Sequence, residues 1–193
     1  MTLKNKDMKK YKIIFADLDD TLIETISGNT FPKGIWDMKI KFNVLDKIKK
    51  LNPDYILVVS NQGGIEKGFV DEAHFLTKID YLVSSIKEYC NCKCTIHYCK
   101  YNDSNNYYRK PNIGLLESIT EFYVGDDFNH IKSKSLMIGD ASGKEGQWSD
   151  TDKKTAKNFG IDYIDVEDFV NSDGEELESK IIYNLNNVKE INI

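Results

Sequence analysis

Five short apolar runs, rich in β-branched residues, recur along this chain with helical stretches between them. They are YKIIFADLD from Tyr11, YILVVS from Tyr55, CTIHYC from Cys94, SLMIG from Ser135 and DYIDV from Asp162. Between the first two, Phe42, Leu45, Ile48 and Leu51 stand at helical spacing. Residues 71–90 form the longest expected helix, with Phe75, Ile79, Leu82, Val83 and Ile86 on one face. Strands that alternate with helices imply a parallel sheet covered on both faces. The expected fold is therefore α/β, a Rossmann-like parallel sheet with helices on both sides.

Such a sheet binds ligands beyond the carboxyl ends of its strands. The polar clusters fall there. Asp17, Asp19, Asp20 and Thr21 follow the first run, Ser60 and Asn61 close the second, and Asp140 follows the fourth. The loop with Arg109 and Lys110 follows the third, and TISGNTFPKGIW reads as a loop or flap.

With 193 residues, 40% hydrophobic and 30% charged, the chain suits one soluble globular domain and excludes general disorder. The expected layout is a single domain, 1–193, with a short basic lead (1–10) and an acidic helical segment (165–193). No apolar run is long enough to span a membrane, and MTLKNKDMKKYK lacks the hydrophobic core of a signal peptide. The chain is therefore expected to be intracellular, in cytoplasm or nucleus, not secreted, and without a membrane partner. The net charge of −5 is unevenly spread: residues 161–193 hold nine acids and two lysines, a net of −7, which leaves +2 for residues 1–160. A nucleic-acid partner is thus not excluded by charge.

Clustered carboxylates repel one another, so a site that holds them needs a cation or raised acid constants. Asp17 and Asp19 project to one side if the strand continues that far. Asp140, from another strand, completes a hard oxygen site suited to Mg2+, and Asp150 or Asp152 is a further contact. Ser60, Lys110 and Arg109 are donors of the kind that hold phosphate. Arg109 is the only arginine in the chain, and guanidinium grips phosphate or carboxylate in two places. Hydroxyl, ammonium and metal around one carboxylate point to phosphoryl transfer. Cys90, Cys92, Cys94 and Cys99 alternate as in a strand and read as reduced cysteines packed as small hydrophobes, so no structural zinc is expected. Trp36 and Trp148 read as loop-packing residues, and Tyr107 and Tyr108 equally as loop packing or as base-stacking platforms.

The ordered set DLDDTL, VVSNQGGI, RKPNIGL and MIGDAS resembles the haloacid dehalogenase superfamily of phosphohydrolases. A closer resemblance, through SGNTFPKGIWD, SNQGGIEKG, YYRKPNIGL and MIGDASGKEGQWSDTDKKTAKNFGI, is to the phosphatase domain of polynucleotide kinase/phosphatase. That resemblance implies the haloacid-dehalogenase fold without a large cap, a Mg2+ requirement, and removal of 3′-phosphates from nucleic-acid ends, DNA preferred. It implies that Asp17 attacks phosphorus, Asp19 serves as acid and then base, and Thr21 orients Asp19. Ser60 and Lys110 hold the phosphoryl oxygens, Asn61, Gln62 and Arg109 contact substrate, and the metal rests on Asp17, the Asp19 carbonyl and Asp140. The family often has glycine where Asp20 stands, and an acid where Gln147 stands. The G-x-x-x-x-G-K-[ST] signature of the kinase half does not occur in these residues, so 5′-kinase activity is not expected of them. Rival readings are a capless phosphatase of sugar bisphosphate or histidinol phosphate, a phosphoserine protein phosphatase, and a non-catalytic module of the same fold. The zinc-binding Cys-x-His and Cys-x-Cys pairs frequent in the first rival do not precede RKP here.

Overall fold

The computed structural model describes residues 10–29, 32–125 and 128–184. Most of the expected basic lead, the flap residues 30–31, and the end of the acidic segment (185–193) lie outside the described residues. In chain order the elements are β1 (Ile13–Ala16), β2 (Ile23–Thr25), β3 (Met38–Ile40), α1 (Phe42–Leu51), β4 (Tyr55–Asn61), α2 (Glu72–Cys90) and β5 (Lys93–Cys99). Then follow α3 (Gly114–Tyr123), α4 (Phe128–Ile131), β6 (Ser135–Gly139), α5 (Thr151–Phe159), β7 (Asp162–Asp165), α6 (Val166–Asn171) and α7 (Gly174–Lys180). No described helix is long and apolar enough to cross a membrane.

The five apolar runs form one parallel sheet in the order β5-β4-β1-β6-β7. Alternation along each strand sends residues to opposite faces. Ile14, Ala16, Ile56, Val58 and Ile138 pack under α1, α2, α6 and α7. Ile13, Phe15, Leu57, Val59 and Met137 pack under α3 and α5. The strands lie buried on both faces because these runs carry apolar residues at both parities. Chain order reverses at β1, which builds outward to β4 and β5 on one side and receives β6 on the other, so a crevice opens beyond the ends of β1 and β6.

Helix ends follow local chemistry. Asp71 starts α2 by accepting a bond from the His74 amide at 2.9 Å, and Gly160, at φ 81°, closes α5 in the left-handed region. The expected flap contains order that the sequence pattern did not show. β2 and β3 pair as an antiparallel ribbon, with a 3-10 turn at Ile35–Asp37. Buried Asp37 holds the loop together by accepting from the Ser27 amide (2.7 Å), the Ser27 hydroxyl (2.8 Å) and the Lys33 amide (3.2 Å). Three-residue strands are too short to show a period of two, which is why the ribbon was illegible.

The cysteines depart from the expected alternation. Cys90 ends α2 and only Cys94 and Cys99 lie in β5, so the four do not share one strand face. Cys90 and Cys94 are buried in the core under α1 and α2, with Cys92 packed against it, and Cys99 joins the opposite core.

Phe15 is fully buried and meets Phe159 and Phe128 edge-on, at ring-centre distances of 5.8 and 6.5 Å. Phe15→Ala should lower unfolding free energy by about 3–5 kcal/mol. Urea titration checks this, and a loss below about 1 kcal/mol would show a loosely packed face.

Candidate active site

The site is assembled from the ends of three strands, one loop and the first turn of α5. The Asp17 amide donates to the Ile138 carbonyl at 3.0 Å, so the ladder runs one residue past β1 and sets Asp17 level with Gly139. The strand does not continue to Asp19. The chain turns over, with the Leu22 and Ile23 amides bonded back to the Leu18 carbonyl and Asp20 at φ 57°. That left-handed backbone suits glycine and is tolerated by aspartate, a physical reason for either residue at this position.

Lys110 arrives from the loop after β5. Asn61, the last residue of β4, clamps it from both sides: its amide nitrogen donates to the Lys110 carbonyl and its oxygen accepts from the Lys110 amide, each at 2.9 Å. The Lys110 ammonium is thereby buried between two carboxylates, donating to Asp17 and, at 2.7 Å, to Asp152. Asp152 stands in the first turn of α5, almost fully buried, and also accepts from the Ala141 amide at 3.2 Å. It packs so closely on β6 that a Cβ on Gly139 would fall 2.3 Å from its Oδ2. Asp17, Asp140 and Asp152 each offer an oxygen within 4.8 Å of the others, the only such acidic, histidine or cysteine group among the described residues. Three hard carboxylate oxygens fit a divalent cation such as Mg2+. Asp150 is not in this group, since it flanks the start of α5 and pairs with Lys154 at 2.9 Å.

Asp19 stands outside the trio. Its Oδ2 accepts from the Gln62 amide nitrogen at 2.6 Å, whereas its Oδ1 is buried without a hydrogen-bond partner. Gln62 also donates to the Ser60 hydroxyl at 2.8 Å, which ties two strand-end residues to Asp19. Thr21, expected to orient Asp19, instead donates to Asp140 at 3.3 Å. The Arg109 guanidinium donates to the Tyr101 carbonyl at 2.9 Å and lines a small groove with Asn61, Gln62, Lys67 and Asn102, adjoining the site without entering the ion-pair cluster. Tyr107 and Tyr108 are about half exposed, and Tyr107 reaches back to Glu117.

Burial raises the Asp17 carboxyl well above its usual range, with Asp152 and Asp140 adding to the rise and Lys110 opposing it. Burial likewise raises Asp19, against the pull of Lys78 and of the Gln62 hydrogen bond. Asp140 is pushed up to about 6, by burial and then by Asp152. Burial depresses the Lys110 ammonium, but Asp152 and Asp17 reverse this and hold it above its ordinary range. The site is thus short of positive charge, as expected of a cation-binding cluster.

Two features were absent from the sequence-based set. Gln147 is the hub of the loop between Asp140 and Asp152: its oxygen accepts from the Ser142 amide and hydroxyl, both at 2.8 Å, and its nitrogen donates to Asp165 at 2.7 Å. Gln147 therefore holds this loop in shape, while Trp148 beside it is fully exposed and packs nothing, contrary to expectation. Trp36 is also largely exposed, with its ring lying over Gly34. The second feature is Lys78, buried on α2. Its signal was present, because position 78 falls three residues after Phe75 on the apolar stripe.

Comparison with known proteins agrees with this geometry. Residues 12–170 match the family model described as polynucleotide kinase 3 phosphatase. A bifunctional polynucleotide phosphatase/kinase of Schizosaccharomyces pombe is 33% identical over 165 residues, which cover 83% of this chain and 38% of that protein. The chain spans under half the length of the polynucleotide phosphatase/kinase relatives it matches. A D-glycero-beta-D-manno-heptose-1,7-bisphosphate 7-phosphatase of Haemophilus influenzae is 31% identical over 144 residues, covering 67% of this chain and 71% of the relative. Among solved structures, a D,D-heptose 1.7-bisphosphate phosphatase from B. bronchiseptica, complexed with magnesium and phosphate, shares the fold with a TM-score of 0.59. Its sequence identity is 19%, with 80% of this chain and 78% of that one covered.

The raised Asp140 carboxyl has a consequence for stability. Its folded acid constant, about 6, exceeds the ordinary value of 3.8, so the folded state binds this proton more tightly than the unfolded state does. The resulting contribution is full below about pH 4 and is lost as pH rises through about 6. In metal-free protein, Asp140→Asn should therefore shrink any gain in melting temperature between pH 7.5 and pH 5. Mg2+ should raise the melting temperature of the unmutated protein at pH 7.5 and affect Asp140→Asn less. Identical pH and Mg2+ responses in both proteins, by thermal melts, would contradict the assignment.

Proposed function

The chain belongs to the polynucleotide kinase 3 phosphatase family, and from that premise we propose that it is a Mg2+-dependent phosphomonoesterase that removes the 3′-phosphate from DNA ends. One observation carries the reading. Two carboxylates on one turn have opposite surroundings: Asp17 is gripped by Lys110 within the acidic trio, and Asp19 stands outside it with one oxygen free. Two carboxyl groups so differently placed suit two roles.

In this reading Asp17 Oδ attacks phosphorus as the bond to the departing 3′-oxygen breaks, leaving an aspartyl-phosphate. Asp19, whose burial favours its protonated form, gives its proton to that oxygen. The Asp19 carboxylate then takes a proton from water as the water oxygen attacks phosphorus, which releases inorganic phosphate and restores Asp17. Ser60 and Lys110 offer a hydroxyl and an ammonium to the phosphoryl oxygens, and Gln62 holds Asp19 in place by the bond already described. Mg2+ would rest on Asp17, Asp140 and Asp152 with the Asp19 carbonyl, supplying positive charge that favours ionised Asp17 and offsets charge on the transferred group. Thr21, through Asp140, supports that cluster.

The substrate reading draws on the open approach. The insertion between β1 and α1 is a short ribbon and its loop, with no large cap, so a polymer end can reach Asp19. Arg109, Lys67 and Asn102 beside the site offer donors to further phosphates. Such an enzyme would serve the repair of DNA ends inside the cell. The heptose bisphosphate phosphatase relative supports a second reading, a small-molecule phosphatase, which substrate comparison separates from the first.

Asp17→Asn should reduce turnover of a 3′-phosphorylated oligonucleotide below about a hundredth of the unmutated rate, and retention above that level would exclude the covalent route. Asp19→Asn should be nearly as damaging, and EDTA should stop turnover until Mg2+ is restored. With both substrates at low salt, kcat/KM for a 3′-phosphorylated oligonucleotide should exceed that for a 3′-mononucleotide, because contacts to the remote strand contribute binding energy. Equal values would favour the small-molecule reading.

A further inference from the structure

Lys78 lies in the middle of α2, on the face that otherwise carries Phe75, Ile79, Leu82 and Ile86 into the core. Only 3% of it is exposed. Among the described residues no carboxylate lies within ion-pair distance of its ammonium and no hydrogen bond reaches it. The ammonium stands 5.1 Å from the centre of the Phe75 ring, a weak partner for a charge withdrawn from water. A buried, unpaired ammonium is costly, and Met or Leu would fill the same stripe without cost. Among the described residues the acid whose charge acts on it is Asp19, with no ion pair formed between them.

The surroundings indicate where the anion goes. Lys78 lines a cavity of about 450 Å3 between α2 and the flap, together with Lys33, Gly34, Phe69 and His74. Lys33, His74, Phe69 and Asp71 are exposed at its mouth, with the Asp71 carboxylate capping α2 and standing 3.7 Å from the His74 ring, so the cavity opens to solvent and presents the Lys33 ammonium and an aromatic face. At its inner end the charge that acts on Lys78 is Asp19. Asp19 in turn keeps one buried oxygen without a partner. Asp19 and Lys78 thus act on one another, and Lys78 lines the cavity.

We infer that Lys78 holds a second phosphate of the substrate, one carried by the leaving group and lodged in the cavity between α2 and the flap. The inference rests on the reading that Asp19 protonates the departing oxygen, which puts the leaving group beside the acid whose charge acts on Lys78. In a polynucleotide the second phosphate is the phosphodiester behind the 3′-terminal nucleoside, whose base would meet Phe69. In a sugar bisphosphate it is the other phosphomonoester. The chemistry recognised is the same, and Lys78 discriminates substrates that carry a second phosphate from those that do not.

The test compares three substrates with the full chain: a short 3′-phosphorylated oligothymidylate, a heptose 1,7-bisphosphate, and p-nitrophenyl phosphate, which has one phosphate only. Lys78→Met suits the apolar stripe and should fold, as circular dichroism and remaining p-nitrophenyl phosphate turnover will report. The ratio of kcat/KM for the preferred two-phosphate substrate to that for p-nitrophenyl phosphate should fall about tenfold or more, mainly through KM. Lys78→Arg, which retains the charge, should recover part of it. With the oligonucleotide, log kcat/KM against log salt should also flatten by about 0.7, the value for one lost contact to a single strand. An unchanged ratio in Lys78→Met, or equal losses on all substrates, overturns the inference. If the unmutated protein prefers the heptose bisphosphate, the polynucleotide reading fails, and the ratio for that sugar then decides the role of Lys78.

Discussion

The ammonium of Lys110, buried between Asp17 and Asp152, is the contact on which the site depends. It joins the end of β1 to the first turn of α5 across the mouth of the sheet. Removing one partner of such a buried cluster costs about 3–5 kcal/mol, because the charges left behind lose both water and partner. The surrounding design serves to deliver that ammonium. Asn61 fixes the Lys110 backbone by paired hydrogen bonds, and β4 fixes Asn61 by parallel pairing with β1 and β5. One cation among three close carboxylates leaves excess negative charge, which suits a divalent ion and, after burial, adds to the rise of the Asp140 carboxyl.

The same arrangement separates two neighbouring aspartates. Had β1 continued past Asp17, both carboxylates would have entered one cluster and titrated together. The turn at Leu18–Asp20 instead lifts Asp19 out of the cluster and gives it to Gln62. Two residues apart in sequence, they acquire different partners. The turn requires a left-handed backbone at Asp20, a local cost of the kind found where function demands it.

Access to the site is set by what the fold adds around the sheet. The β2–β3 ribbon and its Asp37-centred loop form one wall, and the segment from Gly63 to Val70 with the start of α2 forms the other. Arg109, the chain's only arginine, falls in the groove on one side, with one guanidinium nitrogen bound to the Tyr101 carbonyl. Lys78 occupies the cavity on the other. Under the proposed function, a substrate with charge beyond the reacting phosphate would meet a cation in each.

The sequence by itself determined the parallel sheet, because its apolar runs are two-sided and separated by helical periods that only crossover connections accommodate. It also placed Asp17, Ser60, Asn61, Lys110 and Asp140 at strand ends or in the loops that follow, since a carboxyl-end cluster is visible as soon as each run stops. The tertiary structure alone decided which of these groups meet. Strand order brings Asp140 to Asp17, and α5 turns Asp152 inward while Asp150, two residues earlier, faces Lys154. It also decided that Thr21 bonds to Asp140, that Gln147 holds the loop, and that Lys78 lies beneath the flap cavity. Periodicity reports which face of an element a residue occupies, and not what stands opposite that face. Partnership across the sheet is a property of packing, so it appears only once the layers are assembled.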